Sequence, residues 1–363
     1  LLPWFRHARA RDVVSELKRA AAVLSAPPGT PSARYALAWP LVSAKRALRM
    51  LRREGGVVKR VHGGGLWRQA WWMVYLANRH NLAPDNFYAF GFWDAELRRG
   101  AHEYFQQEEA KLLVGWLNRE IDTDRLSHKL CFRDFCERHG LPTARVVLGA
   151  LHGSVRWYDG QAFPASDLVL KPADMLCGIG LERWERVDGA ACASWSNSGR
   201  VLDEAGLLAH IVGRSMEGPV LLQPRLWNPA ELRRFTNGSL ATLRVLTARL
   251  PGRDPEVLAC CFRMPVGSGA ADNFGAGGIA APVAADGTLG SAVQKELRTG
   301  RIRSHPDTGA VIEGQVLPGY RSMVDLALRA HRCAEAPYFL GWDVALTGEG
   351  PVLLEVNPNW GVG

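Results

Sequence analysis

The residues most able to do chemistry lie near the end of the chain, in Gly341-Trp342-Asp343-Val344-Ala345-Leu346-Thr347-Gly348-Glu349-Gly350-Pro351-Val352-Leu353-Leu354-Glu355-Val356-Asn357-Pro358-Asn359. Two apolar runs flank Gly348-Glu349-Gly350, which reads as a three-residue hairpin loop with glycine at hand for the left-handed position. In that register Thr347 faces Pro351, Ala345 faces Leu353 and Asp343 lies opposite Glu355. Side chains alternate faces along a strand, so Glu355 and Asn357 share the face that Asp343 meets from across the hairpin. Close carboxylates in an apolar setting repel unless a cation sits between them. Hard oxygen donors with no His or Cys suit magnesium held jointly with phosphates. The alternative is a hairpin with one polar face on solvent, which the mostly apolar sequence around it disfavours.

Magnesium–phosphate chemistry also needs protein cations. The chain has seven lysines among its 44 basic residues, so a lysine closing an apolar strand stands out. Lys171 ends Asp167-Leu168-Val169-Leu170-Lys171-Pro172 and precedes a loop with Gly178 and Gly180. A strand-borne lysine followed by a flexible loop could bring backbone N–H groups over phosphates. Lys129, at the start of a helix, could add a second charge. Each lysine alone reads equally as a surface residue.

The elements that must position these groups fall into two textures. Residues 1–125 read as helical: 11–24 and 41–53 carry apolar residues at helical spacing, Trp67, Trp71, Trp72, Tyr75 and Leu76 make another apolar face, and 95–121 reads as one longer helix. From 126 onward a short helix at 129–139 is closed by Gly140 and Pro142. Strand-like runs follow at 144–148, 167–171, 219–222, 239–248, 256–264 and 352–357, with helices at 205–217 and 320–335. Mixed strands and helices imply an α+β enzyme body. The expected division is 1–125, a basic helical region; 126–215, with Lys129 and Lys171; and 216–363, with the acidic hairpin.

Composition removes several classes. With 47% hydrophobic and 22% charged residues the chain is ordinary globular stock, neither disordered nor fibrous. The longest apolar run, residues 70–77, is far short of the roughly 20 residues that cross a bilayer, and the arginine-rich start does not read as a secretory signal. Residues 1–60 hold 13 Lys or Arg against Asp12, Glu16 and Glu54, a net of +10, while the remaining 31 basic and 33 acidic residues net −2. Nucleic-acid binding is therefore not expected. The arginine-rich stretch 45–60 suits either a solvated helical face or an acidic surface such as lipid. Seven scattered cysteines without CxxC or zinc spacing read as reduced thiols in a cytoplasmic protein. His62-Gly63-Gly64-Gly65 has the look of a hydrolase oxyanion loop but lacks a GxSxG partner, and no GxxxxGK[ST] or helix-opening GxGxxG occurs.

The order of motifs carries a resemblance. Lys129 with Gly140-Leu141-Pro142 is followed by Leu168-Val169-Leu170-Lys171-Pro172, Leu221-Leu222-Gln223-Pro224 and Ala241-Thr242-Leu243-Arg244-Val245-Leu246-Thr247. Then come Asp272-Asn273-Phe274-Gly275-Ala276-Gly277-Gly278, His305-Pro306-Asp307-Thr308-Gly309, Gly341-Trp342-Asp343 and Glu355-Val356-Asn357. From about 126 to 363 this resembles the ATP-grasp superfamily, and within it the sugar-transfer-associated branch. The resemblance implies a fold in which two α+β subdomains clamp ATP. It implies that Lys129 and Lys171 hold the α- and β-phosphates, with Gly178 and Gly180 in the covering loop. Leu222 and Gln223 would lie in the hinge strand whose backbone reads adenine, and Glu231 would face the ribose. Arg244, with Arg263 and Asn273, would face the transferred phosphoryl group. Asp343, Glu355 and Asn357 would bind magnesium, or manganese in its place.

The activity implied is an ADP-forming ligase. A substrate carboxylate attacks the γ-phosphorus, and an amine captures the acyl phosphate, in polysaccharide or natural-product biosynthesis on small or carrier-linked substrates. Transfer to a hydroxyl or thiol, or a non-catalytic ATP-binding module, are the alternatives. Residues 1–125 depart from the family's leading domain. They are expected to dock on the body through the tryptophans at 67, 71 and 72, which need burial, and to help shape the acceptor side; membrane-surface contact is the rival role.

Overall fold

A computed structural model describes residues 18, 32–118, 124–175, 180–187, 192–250, 252–267, 274, 277–294, 301–334 and 338–358. The chain divides into two compact units: Leu1–Glu120 with Lys295–Gly300 and Asn359–Gly363, and Ile121–Gln294 with Arg301–Pro358. The expected helix at 11–24 lies outside the described residues, Lys18 excepted.

The described part of the first unit is helical. Its helices are α1 (Ser32–Met50), α2 (Gly56–His62), α3 (Leu66–His80), α4 (Asn86–Ala89), α5 (Ala95–Arg99) and α6 (Gln107–Leu117), with a π-helical turn at Leu51–Gly55 between α1 and α2. Helical spacing turns Trp39, Ser43, Ala47 and Met50 of α1 inward. Trp39 Nε1 donates to the Ala77 carbonyl of α3 at 3.0 Å, and Asn78 Nδ2 donates to Ser43 Oγ at 3.3 Å. The expected single helix at 95–121 is two helices. The backbone leaves the helix after Arg99, and the Gln106 N–H is caught by the Glu109 carboxylate at 2.9 Å, which caps a new one. Glu109 also pairs with buried Lys18, Nζ to Oε2 3.6 Å.

The expected burial of all three tryptophans is corrected. Trp67 is 89% and Trp71 57% exposed, whereas Trp72 packs at the core edge under the Arg98 guanidinium, 4.5 Å from its ring. The inward face of α3 is taken by Gln69, Met73, Leu76, Ala77 and His80. At about 100° per residue, positions 67, 71 and 75 fall on its far side.

The second unit opens with α7 (Asp124–Ser127) and α8 (Lys129–Arg138), after which Gly140 takes a left-handed φ of 60° that ends the helix and turns the chain. Strands β1 (Leu148–Leu151), β2 (Ser154–Trp157), β3 (Leu168–Pro172), β4 (Glu182–Arg186), β5 (Ser194–Asn197) and β6 (Arg200–Asp203) come next, then α9 (Glu204–Ser215) and β7 (Val220–Pro224). These strands form an antiparallel sheet in the order β2-β1-β7-β3-β4-β5-β6. Strand β7, beyond residue 216, is central to it. Asp203 caps α9 by accepting the Gly206 N–H at 2.8 Å, and α9 packs Leu207 and Ile211 against Leu148, Leu170, Trp184 and Leu222.

After α10 (Ala230–Arg233) come β8 (Thr242–Ala248), β9 (Glu256–Met264), β10 (Ile279–Val283), β11 (Val293–Gln294), α11 (Tyr320–Cys333), β12 (Phe339–Thr347) and β13 (Gly350–Asn357). Their sheet runs β11-β10-β9-β8-β12-β13. Alternation sends Leu243, Val245, Phe262, Leu340, Trp342 and Val344 into a core closed by Met323, Leu326, Ala327 and Ala330 of α11. The segment expected as a strand from 144 begins pairing with β2 only at 148. Its first part instead runs along β13: Thr143 Oγ1 donates to the Leu353 carbonyl at 2.8 Å, and the Leu353 N–H donates to the Pro142 carbonyl at 2.9 Å.

The hairpin differs from its expected register at the tip. Thr347 pairs with Gly350, Ala345 with Val352 and Val344 with Leu353, so the turn holds only Gly348 and Glu349. Gly350 adopts φ 117°, a conformation open mainly to glycine, and Thr347 Oγ1 fastens the turn by donating to the Gly350 carbonyl at 2.9 Å. A β-bulge at Asp343/Val344 then absorbs Leu354, so that Asp343 faces Glu355 after all.

Candidate functional site

Four neighbouring strands contribute to one face of the second sheet. On β8, Leu243 and Val245 point into the core and Arg244 points away from it; on β9, Arg263 does the same between Phe262 and Met264. Arg244 is the register partner of Asp343 on β12, and Asp343 is the partner of Glu355 on β13. Asn357, two residues on, shares the Glu355 face, and its Nδ2 donates to Glu355 Oε1 at 3.3 Å. Period-two alternation and the bulge therefore gather Arg263, Arg244, Asp343, Glu355 and Asn357.

Asp343 is buried, with Arg244 Nε donating to its Oδ1, and Arg244 Nη2 (2.7 Å) and Arg263 Nη1 (3.0 Å) donating to its Oδ2. Burial alone would raise its pKa, but the two guanidinium groups hold it down at about 2. Arg244 responds in kind: burial would lower its pKa, and the Asp343 charge with its hydrogen bonds raises it instead. The pair is a two-pronged fork, the strong form of this contact. Glu355 behaves oppositely. Burial and the Asp343 carboxylate push its pKa up, against the pull of Lys129 and Lys171.

Those two lysines come from the first sheet and its leading helix. Lys171 sits on β3 opposite Leu221 of β7, and Lys129 is the first residue of α8. Lys129 Nζ donates to the Met175 carbonyl at 2.5 Å, and its backbone N–H to the Ala173 carbonyl at 3.0 Å, so it anchors the start of the loop after β3. Burial, with the neighbouring Lys129 charge, lowers Lys171 to about 8, and Glu355 partly offsets this. Lys129 is also lowered, chiefly by burial, with Glu355 and Asp174 opposing. Four cations thus meet two carboxylates, one carboxylate already neutralised by arginine: an excess of positive charge suited to a polyphosphate.

Among the described residues no three His, Cys, Asp or Glu side chains gather as a metal cluster, so any such site rests on two carboxylates and an amide. A carboxylate has about four lone-pair positions, and Asp343 uses three on its arginines. Glu355 carries a raised pKa that a cation would relieve, and Asn357 spends its Nδ2 rather than its carbonyl oxygen on Glu355. The set fits a hard cation, with Glu355 the larger contributor.

Other expected residues fall elsewhere. Gln223 is buried on β7 and its Nε2 donates to the Ala144 carbonyl at 3.2 Å, while the Leu222 carbonyl accepts the Val147 N–H at 2.8 Å. Both brace the segment that crosses to β13. Glu231 is exposed on α10. Gly180 adopts φ 74° after the loop. Gly178 and Asn273 lie outside the described residues, as does Cys177. The described cysteines are free thiols, with burial pushing Cys136 up to about 12 and Cys260 to about 11. What the sequence reading missed is that Arg244 and Arg263 are ion-pair partners of Asp343; charged residues at matching alternation positions on apolar strands were the available signal.

Comparison with known proteins now bears on this arrangement. The model of the sugar-transfer associated ATP-grasp family matches residues 109–363. No curated protein matches the sequence. Among solved structures, an L-amino acid ligase from Bacillus licheniformis aligns over 73% of this chain and 45% of its own, at 13% identity and a TM-score of 0.35. A D-alanyl-alanine synthetase A from Vibrio cholerae aligns over 65% and 56%, at 12% identity and 0.36. An N5-carboxyaminoimidazole ribonucleotide synthetase, solved as its ADP complex, aligns over 73% and 56%, at 12% identity and 0.36. The chain thus spans about half the length of these solved proteins.

Proposed function

We propose that this chain, which belongs to the sugar-transfer associated ATP-grasp family, is an ATP-dependent, ADP-forming ligase joining a carboxylate to an amine. The observation that supports this reading best is the meeting of Lys129 of α8 and Lys171 of the first sheet with Arg244, Arg263, Asp343 and Glu355 of the other sheet. Such a site has cations for phosphates, as phosphoryl transfer by positioning requires.

In this reading Lys129 and Lys171 bind the α- and β-phosphates of ATP, and Arg244 and Arg263 receive charge on the transferring γ-phosphoryl group. Asp343 keeps both guanidinium groups oriented, which lowers the reorganisation needed during transfer. Asp343, Glu355 and Asn357 would hold magnesium, or manganese in its place, and that ion would neutralise phosphate charge. The substrate carboxylate oxygen attacks the γ-phosphorus as its bond to the β,γ-bridging oxygen breaks and ADP leaves. The amine then adds to the acyl carbon, loses a proton, and expels inorganic phosphate, leaving an amide. Small or carrier-linked acids and amines of polysaccharide or natural-product assembly in the cytoplasm are the substrates proposed. Nucleotide would lie along β7 beside Leu222 and Gln223, with Gly178 and Gly180 in the covering loop, Glu231 towards the ribose and Asn273 near the phosphoryl group.

A screen of carboxylic acids with ATP, magnesium and hydroxylamine tests this. Acid-dependent ADP release with formation of a hydroxamate is expected, because only an acylating intermediate is trapped this way. Phosphorylation of a hydroxyl compound without hydroxamate would replace the ligase reading with a kinase. ATP binding without ADP release for any acid would leave a non-catalytic ATP-binding module.

A further inference from the structure

The site chemistry leaves unused a surface of the first unit. Trp67, Trp71 and Tyr75 stand on one face of α3, 89%, 57% and 40% exposed, over two helical turns or about 12 Å. Exposed aliphatics occur in the same unit: Leu37 and Leu41, each 72% exposed, and Leu48, 48% exposed, on the outer side of α1. Water-soluble surfaces seldom carry large apolar groups in such number without a partner. The charge around them is one-sided. Residues 32–80 contain ten Lys or Arg and a single acid, Glu54, whose carboxylate is paired with Arg53 at 2.8 Å. Leu48 lies among Lys45, Arg49, Arg52 and Arg53 around a surface groove of about 540 Å³.

We propose that the exposed aromatic face of α3 and the basic outer surface of α1 and its following turn form an interfacial anchor for an anionic lipid bilayer. Tryptophan and tyrosine bury an apolar ring while keeping a polar edge in the headgroup layer, and arginine stems lie along apolar surface with the guanidinium in the phosphates. An amphipathic helix with a cationic border lies in the interface plane rather than crossing it. No described helix is long and apolar enough to span a membrane, which agrees with a surface mode.

Single-stranded nucleic acid would also answer to aromatic and basic groups, but the details disfavour it. Trp71 and Tyr75 are stacked on one another, centroids 5.1 Å apart and planes 10° apart, so one face of each ring is already taken up by the other. Exposed leucines add nothing to base stacking and suit acyl chains.

The test uses the full chain with vesicles of phosphatidylcholine alone or mixed with phosphatidylserine. Co-sedimentation with the serine-lipid vesicles is expected to weaken as salt rises, with tryptophan emission shifted to the blue and quenched by brominated acyl chains. Replacing Trp67, Trp71 and Tyr75 together by alanine should lower vesicle affinity at least about tenfold, with the thermal midpoint and ATP turnover unchanged because these side chains are exposed. Neutralising Arg52 or Arg53 with glutamine should lower it about fivefold each. No binding to serine-lipid vesicles at low salt overturns the proposal, as does wild-type binding without quenching by brominated lipid. Affinity unchanged in the aromatic variant overturns it too. Tighter binding to a single-stranded oligonucleotide than to vesicles, lost in the aromatic variant, transfers the surface to nucleic acid.

Discussion

The two faces of the β8–β12 strand pair use polar groups in opposite ways. On the core face, Thr247 Oγ1 donates to the Leu340 carbonyl at 3.2 Å and accepts from Trp342 Nε1 at 2.9 Å. His331 Nδ1 lies 2.7 Å from the same oxygen; with the hydroxyl proton already committed, the ring must donate through an Nδ1–H. That knot is closed: each polar atom in it has its partner inside the fold. On the opposite face, Asp343 satisfies two arginines, yet Glu355 is left beside it with a raised pKa, and Lys171 with a lowered one. One face of these strands thus satisfies its own groups, and the other borders charges held at a cost on β13 and β3. Charges kept in unfavourable states mark a site awaiting a ligand better than polarity does.

The sharpest way to break this comparison is Asp343→Ala, which leaves Arg244 and Arg263 facing each other without their counter-charge. It should cost about 3–5 kcal/mol of stability, seen as a lower urea midpoint, and more than about 1,000-fold in ATP turnover. Turnover within about tenfold of wild type, only about 1.4 kcal/mol, would remove Asp343 from the machinery. Glu355→Gln separates the two costs. It should lose about 100-fold or more in turnover while leaving the urea midpoint unchanged or higher, since the carboxylate it removes is disfavoured in the fold. A fall in stability like that of Asp343→Ala would show the two carboxylates doing the same structural work.

The core face predicts the reverse. Thr247→Val keeps the shape but strands the Trp342 and His331 donors, so stability should fall by about 1–3 kcal/mol with kcat unchanged per folded molecule. Lys171→Met should change stability with the opposite sign to Asp343→Ala and Thr247→Val. Lys171 has a folded pKa near 8, below the unfolded value of about 10.4, so the unfolded chain binds more protons between the two. The charged form therefore costs stability at every pH below about 8, and the cost fades as pH climbs towards about 10.4. Without nucleotide, Lys171→Met should be more stable than wild type at neutral pH by up to about 3 kcal/mol, the gain shrinking at high pH, while ATP affinity by calorimetry falls. Equal ATP affinity would detach Lys171 from the phosphates.

Local pairings were open to sequence reading; distant ones were not. Asp343 facing Glu355 follows from a hairpin whose strands are adjacent in the chain, and the strand ends at 248 and 264 follow from short apolar runs. Gly348-Glu349-Gly350 is compatible with either loop length, so the two-residue turn and the compensating bulge were decided by backbone conformation. The Arg244–Asp343 fork joins residues 99 apart, and nothing in either segment names the other. The tryptophans show the limit most plainly. Spacing at 67, 71 and 75 establishes a shared helical face, but burial is a property of what stands opposite, and Met73, Leu76 and Ala77 had already claimed the core side of α3. Sequence alone determined the family and the neighbours within a hairpin, because these depend on chemistry and short chain separations. Tertiary structure decided which charges neutralise each other and which aromatic groups face water, because those depend on strand order and on the elements packed alongside.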